Sequence, residues 1–143
     1  MRARVKRVYE KPEPGDGKRV LVDRLWPRGL KKEDAGVDAW LRGIAPSNEL
    51  RKWFHLHPEQ WAAFRRRYLK ELGSPEAGSG LEELYRLADH HKITLLFASR
   101  NEEHNNAVVL RDILNGMRKP PTGTGPAAAR GLRTRQAKSM PRF

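Results

Sequence analysis

Two short apolar runs dominate the pattern of this chain. Lys18 to Arg24 holds Val20, Leu21 and Val22, and Lys92 to Ala98 holds Ile93, Leu95, Leu96 and Phe97. Runs this short, rich in branched or aromatic residues and bounded by turn signals, predict strands, and near-continuous apolarity predicts burial on both faces. Arg4 to Tyr9 alternates basic residues with Val5 and Val8 and predicts a short edge strand. Lys11 to Gly17 carries two prolines and two glycines and reads as a loop. Proline at 27 turns the chain after the second strand, in Trp26-Pro27-Arg28-Gly29.

The remaining apolar positions follow helical spacing. Asp38 to Ile44 predicts a short helix capped near Asp38, and Ser47 to Phe54 predicts another. Pro58 suits a first helical position, and Trp61, Phe64, Tyr68 and Leu72 continue that helix. The small residues of Gly73 to Gly80 predict a loop. Leu81, Leu84, Tyr85 and Ala88 predict a further helix, and the last runs from about Ala107 to Met117. The expected fold is α/β: a single domain with a small, mostly parallel sheet of about three to four strands flanked by helices. The stretch between residues 24 and 92 is long enough for a helical crossover, so Asp23-Arg24 and Ser99-Arg100 are expected on the same sheet edge.

Past Met117 the periodicity ends. Residues 118–143 are rich in Pro, Gly, Ala and Arg and are expected to form a disordered basic tail to a domain spanning 1–117. This division changes the meaning of the charge. The chain carries 29 Lys and Arg against 17 Asp and Glu, a formal +12, yet seven basic residues and no acid lie beyond residue 117. Residues 1–117 therefore hold about +5. Basic surfaces attract nucleic acid, anionic membranes and acidic ligands alike. The absence of cysteine excludes disulfides, thiolate nucleophiles and Cys-ligated metals. No stretch has the roughly 20 apolar residues of a membrane span, and none resembles a secretory leader. A cytoplasmic protein without a membrane partner is expected.

Certain ordered motifs resemble a known family. Val22-Asp23-Arg24-Leu25-Trp26-Pro27-Arg28-Gly29, Ala45-Pro46-Ser47, Leu50-Arg51-Lys52-Trp53-Phe54, Phe64-Arg65-Arg66-Arg67-Tyr68 and Glu102-Glu103-His104-Asn105-Asn106-Ala107 are similar to the YeaO-like proteins. The resemblance covers roughly residues 3–116 and implies a small bacterial α/β domain of unknown function. The strand with Asp23-Arg24 also resembles the opening strand of rhodanese domains, whose sulfur transfer needs a loop cysteine that this chain lacks.

Polar residues at the two strand-to-helix junctions are the candidate site, because ligands of open α/β sheets sit where strand ends and helix N-termini leave backbone groups unpaired. Arg24, Arg28 and Arg100 suit negative charge, Trp26 suits a planar group, and Asn105 suits ligand orientation. His104 is the candidate for proton transfer and Asp23 for positioning. Each has a plain structural reading as well: Asp23 with Arg24 as an ion pair, Trp26 as a core plug, and Ser99 or Asn101 as a helix cap. The expected ligand is a small anion or nucleotide-like molecule, and the residues leave open whether a reaction follows. The alternative is non-catalytic nucleic-acid binding through the tail and through Arg65, Arg66 and Lys70, which share the surface side of an amphipathic helix. His55, His57, His90 and His91 lack metal-ligand spacing, so neither metal nor cofactor is expected.

Overall fold

A computed structural model describes residues 3–116. The tail expected at 118–143 lies outside the described residues. Four strands, β1 (Ala3–Arg7), β2 (Lys18–Leu21), β3 (Ala39–Trp40) and β4 (Ile93–Phe97), form one sheet in the order β1-β4-β2-β3. Every pairing is parallel, with Val5 opposite Leu95, Val20 opposite Leu95 on the other flank, and Val20 opposite Ala39. The α/β class, the parallel sheet and the single domain are as the sequence predicts. No helix among the described residues is long and apolar enough to cross a membrane.

All five residues of β4 are buried, which requires cover on both faces. One face carries Val20, Val22, Ile93, Leu95 and Phe97 against the helices α2 (Asn48–Leu56), α3 (Trp61–Leu72), α4 (Pro75–His90) and α5 (Asn106–Gly116). The other carries Val8, Leu21 and Leu96, covered by Trp26, Leu30, Val37 and Trp40. That second cover includes Trp40 of β3 and a single helical turn, α1 (Lys32–Ala35), and is otherwise irregular chain. Strand alternation explains the division, since successive side chains point to opposite faces.

Irregular cover leaves backbone groups to satisfy. Arg19 does so from within β2, donating from Nε to Gly36 O at 3.0 Å and from Nη2 to Glu10 O and Ala35 O. Its Nη1 donates to Asp16 Oδ2 at 2.7 Å, and both residues are buried. Lys6 donates to the same carboxylate, and Thr94 Oγ1 donates to Asp16 O. Burial opposes ionisation of Asp16, but hydrogen bonds from Arg19, Lys6 and Glu13 N outweigh it and hold the carboxyl below its usual value. Gly17, at φ 66°, then passes Lys92 so closely that a Cβ would sit 2.1 Å from Lys92 O.

Three helical expectations are corrected. The helix expected over 38–44 is β3 followed by a 3-10 turn at Arg42–Ile44. Asp38 is a strand lead-in rather than a cap: its N–H donates to Arg19 O, and its Oδ2 accepts from Arg19 N at 2.8 Å. The helix expected to open at Pro58 begins at Trp61, because His57 N bonds back to Trp53 O and Phe54 O and closes α2. The loop expected over 73–80 is already helical from Pro75, with Ser74 Oγ accepting from Ala77 N as the cap. Gly80 serves packing, since a Cβ there would lie 2.6 Å from Ile44 Cγ2, whereas one on Gly78 would meet nothing within 4 Å.

Candidate functional site

Chain direction defines a crevice at the carboxyl edge of the sheet. After β2 the chain proceeds to β3 on one side, and after β4 it enters α5, which packs towards β1 on the other. Adjacent strands whose connections leave in opposite directions mark the switch point where open α/β sheets hold ligands. Asp23 occupies that point. Val22 N donates to Leu96 O, and the Asp23 carboxylate then substitutes for a strand carbonyl, its Oδ2 accepting from Ala98 N at 2.8 Å. Its Oδ1 accepts from Asn106 Nδ2, which also donates to Val22 O, and its backbone O accepts from Trp40 Nε1 at 2.7 Å. Burial pushes the carboxyl above the usual aspartate value, against the opposing pull of Ala98 N–H, Asn106 and the Arg51 charge. Asp23 thus ties β2, β4 and α5 together.

Arg24 turns to the other side of the strand end. Its Nε and Nη2 donate to Pro46 O and Ala45 O at 3.2 and 3.1 Å, fixing the loop that precedes α2. Ser47 caps α2 by accepting from Leu50 N, and it is gripped from α3 by Glu71, which accepts from both Ser47 N and Ser47 Oγ. Tyr68, one helical turn before Glu71, is fully buried and donates its hydroxyl to Ile44 O. Burial, with the charges of Asp23 and Glu71, pushes that hydroxyl well above the ordinary tyrosine value, and Arg24 opposes them. A cleft of about 240 Å³ opens here, lined by Arg24, Ser47, Tyr68, Glu71, Ser74 and Glu76 among others. Two nitrogens of Arg24 are committed to carbonyls, and Nη1 has no hydrogen-bond partner among the described residues. Glu76 is exposed at the first turn of α4 and has no ion pair among them.

The other candidate residues occupy different surroundings. Trp26 donates from Nε1 to Leu30 O and packs edge-on to Trp40, with ring centroids 5.4 Å apart. Arg28 is exposed, and its backbone O accepts from Tyr9 OH. Arg100 is exposed in the loop after β4. His104 stacks on Trp61 at 4.5 Å with planes 10° apart. Asn105 is buried; its Oδ1 accepts from Val108 N and its Nδ2 donates to Asn101 O, so it caps α5. Asn101 Oδ1 instead accepts from Glu103 N and His104 N, and Ser99 Oγ from Asn101 N. Asp23 and Arg24 therefore reach the crevice and its cleft, while Arg100, His104 and Asn105 belong to the approach of α5. Arg65, Arg66 and Lys70 are exposed on α3, facing away from the sheet.

Sequence reading missed Ser47, Glu71, Ser74 and Glu76 as neighbours of Arg24. The signal for Ser47 and Ser74 was present, since each is a serine opening a helix. Nothing local links Ser47 to Glu71, which lies 24 positions further on.

Comparison with known proteins places the chain. Residues 2–127 match the family model described as the inactive DUF488-N3 subclade, a match that runs past residue 117. The uncharacterized protein YeaO of Escherichia coli is 47% identical over 120 residues, covering 82% of this chain and 100% of that protein. An uncharacterized protein of Mycobacterium tuberculosis is 45% identical over 115 residues, covering 80% of this chain and 95% of that protein. No solved structure matches.

Proposed function

The chain belongs to the family described as the inactive DUF488-N3 subclade, and on that premise we propose that it is a non-catalytic binding domain for a small anionic ligand. The observation that carries this reading is the state of Arg24 in the cleft. Two carbonyls hold its guanidinium rigid and leave Nη1 to a ligand. A positioned guanidinium of this kind suits a carboxylate or phosphate, because its orientation is fixed before binding. The Ser74 hydroxyl, which accepts from Ala77 N, keeps its own proton to donate.

Charge at the cleft narrows the ligand. Glu71 already accepts twice from Ser47, whereas Glu76 at the rim is an open acceptor. The ligand then carries an anionic group for Arg24 and a hydrogen-bond donor, such as an amine or hydroxyl, for Glu76. At about 240 Å³ the cleft is smaller than the roughly 300–1,000 Å³ of sites for drug-sized molecules. That suits an amino acid, a sugar phosphate or the phosphate end of a nucleotide. Binding without catalysis is favoured because each Asp23 oxygen already accepts a structural hydrogen bond and His104 stacks away on Trp61.

Thermal unfolding of the full-length protein against inorganic phosphate, sugar phosphates, nucleoside monophosphates and amino acids tests the proposal. A ligand at 100 times its dissociation constant is expected to add about 2.7 kcal/mol of stability. Arg24→Lys is expected to abolish that gain. Glu76→Gln, at an exposed position, is expected to leave the fold intact and weaken ligands bearing an amine. A gain that survives unchanged in both variants, or no gain from any ligand, overturns the reading.

A further inference from the structure

A second surface, remote from the cleft in chemistry, lies where α2 and α3 adjoin. On α2 the residues Lys52, Trp53 and Leu56 share one stripe, being three and four positions apart. On α3 the same spacing aligns Arg66, Arg67 and Lys70. The stripes meet at a defined contact: the Arg67 guanidinium lies 4.3 Å from the centre of the Trp53 ring. Lys52, Arg66, Arg67 and Lys70 are exposed and none has an acidic partner among the described residues. The acids near these stripes are Glu49, one turn before Lys52, Glu71, one turn after Arg67 and bonded to Ser47, and Glu59 beyond α2, whose carboxylate lies 3.9 Å from His57 Nδ1. Leu56 is 73% exposed in the midst of these charges.

An exposed leucine and a guanidinium held over a ring add apolar and planar character to this basic face. Both features fit unpaired bases. Arg67, backed by Trp53, offers its outer side to a base, Leu56 offers an apolar edge, and the surrounding cations meet the phosphates. We infer that the joined faces of α2 and α3 bind single-stranded nucleic acid, with Arg67 on Trp53 as the stacking element and Lys52, Arg66 and Lys70 as phosphate contacts. Duplex is disfavoured because its bases are stacked and unavailable to Arg67 and Leu56.

The test is fluorescence anisotropy of the full-length protein with a labelled single-stranded oligonucleotide, its duplex, and anionic phospholipid vesicles as competitor, over a range of salt. The double variant Arg66→Gln, Lys70→Gln is expected to lower affinity at low salt about tenfold and to flatten the salt dependence by about 0.7 for each phosphate it no longer neutralises. Leu56→Ser is expected to weaken binding by a constant factor at every salt concentration, because apolar packing is not screened. The strand is expected to bind more tightly than its duplex. An unchanged affinity and salt slope in the double variant overturns the assignment, as does equal binding of the duplex or complete displacement by vesicles. Arg24→Lys leaves this binding unchanged, so failure here and failure at the cleft are distinguishable.

Discussion

Arg19→Ala is expected to lower the stability of the fold by about 3–5 kcal/mol, the cost of removing one partner from a buried ion pair. Arg19 and Asp16 are 3% and 0% exposed, so water cannot replace what is lost. The substitution strands the Asp16 carboxylate with Lys6 as its main cation and leaves the carbonyls of Glu10, Ala35 and Gly36 without their donor. The carbonyls of Ala35 and Gly36 directly precede Val37, which covers Leu21 and Leu96, so loss of Arg19 loosens that part of the second face. The same pair gives a pH signature. Asp16 is held below its usual value in the folded state, so its contribution is complete above the unfolded value near 3.9 and is lost as pH falls through the lower, folded value. Denaturant unfolding from pH 7 to pH 2 measures both effects. Arg19→Ala should lower stability at neutral pH and flatten its decline in acid. A loss below about 1 kcal/mol would show the pair to be replaceable by solvent.

Asp23→Ala is expected to cost about 3 kcal/mol, from two charge-assisted hydrogen bonds at roughly 1.5 kcal/mol each. The substitution leaves Ala98 N–H unpaired where β4 ends, and leaves Asn106 with Val22 O alone. Asp23→Asn does not restore the wild type, because one end of its amide must present a donor to a donor. Here the pH dependence has the opposite sign to that of Asp16. Burial raises the Asp23 value in the folded state, so ionisation costs more in the native protein than in the unfolded chain. Its contribution is fully present below the unfolded value and declines as pH rises through the raised, folded value. Asp23→Asn removes that decline. Hydrogen exchange at Ala98 gives a local readout: its protection is expected to fall in Asp23→Ala before the core of β4 opens. Unchanged protection would mean that another acceptor holds this amide.

The contrast between these two aspartates shows what a sequence reveals and what it hides. Asp23 is legible because it directly follows the apolar run of β2, and its junction with the β4 end follows from parallel pairing. Asp16 sits in a loop marked by Pro12, Pro14, Gly15 and Gly17, and nothing local says that it is buried. Its partner Arg19 follows Lys18 ahead of the apolar positions of β2 and looks like an ordinary surface cation until the cover over Leu21 is known. Periodicity failed in three helical regions for different reasons. Trp40, Leu41 and Ile44 fit a helix turn as well as they fit a two-residue strand followed by a 3-10 turn. Pro58 looks like a helix start, but the return bonds of His57 push that start to Trp61. Gly78 and Gly80 look like loop residues, yet α4 tolerates them because Ser74 and Pro75 start it well and Gly80 packs against Ile44. At the site, the expectation that both strand ends emerge on one sheet edge gathered Arg100, His104 and Asn105 with Arg24. The turn into α5 uses Asn105 as its cap and carries His104 onto Trp61, while Arg24 reaches the carbonyls of 45 and 46 on the far side of Asp23.

The most direct test of the central proposal is an amide chemical-shift titration of isotope-labelled full-length protein with inorganic phosphate and with a sugar phosphate. A ligand seated on Arg24 is expected to move the resonances of Arg24, Ala45, Ser47 and the Ser74–Ala77 turn, all around the cleft. Those shifts should vanish in Arg24→Lys. Shifts confined to residues 99–106 or to the joined faces of α2 and α3, with the cleft silent, would contradict a ligand site at Arg24.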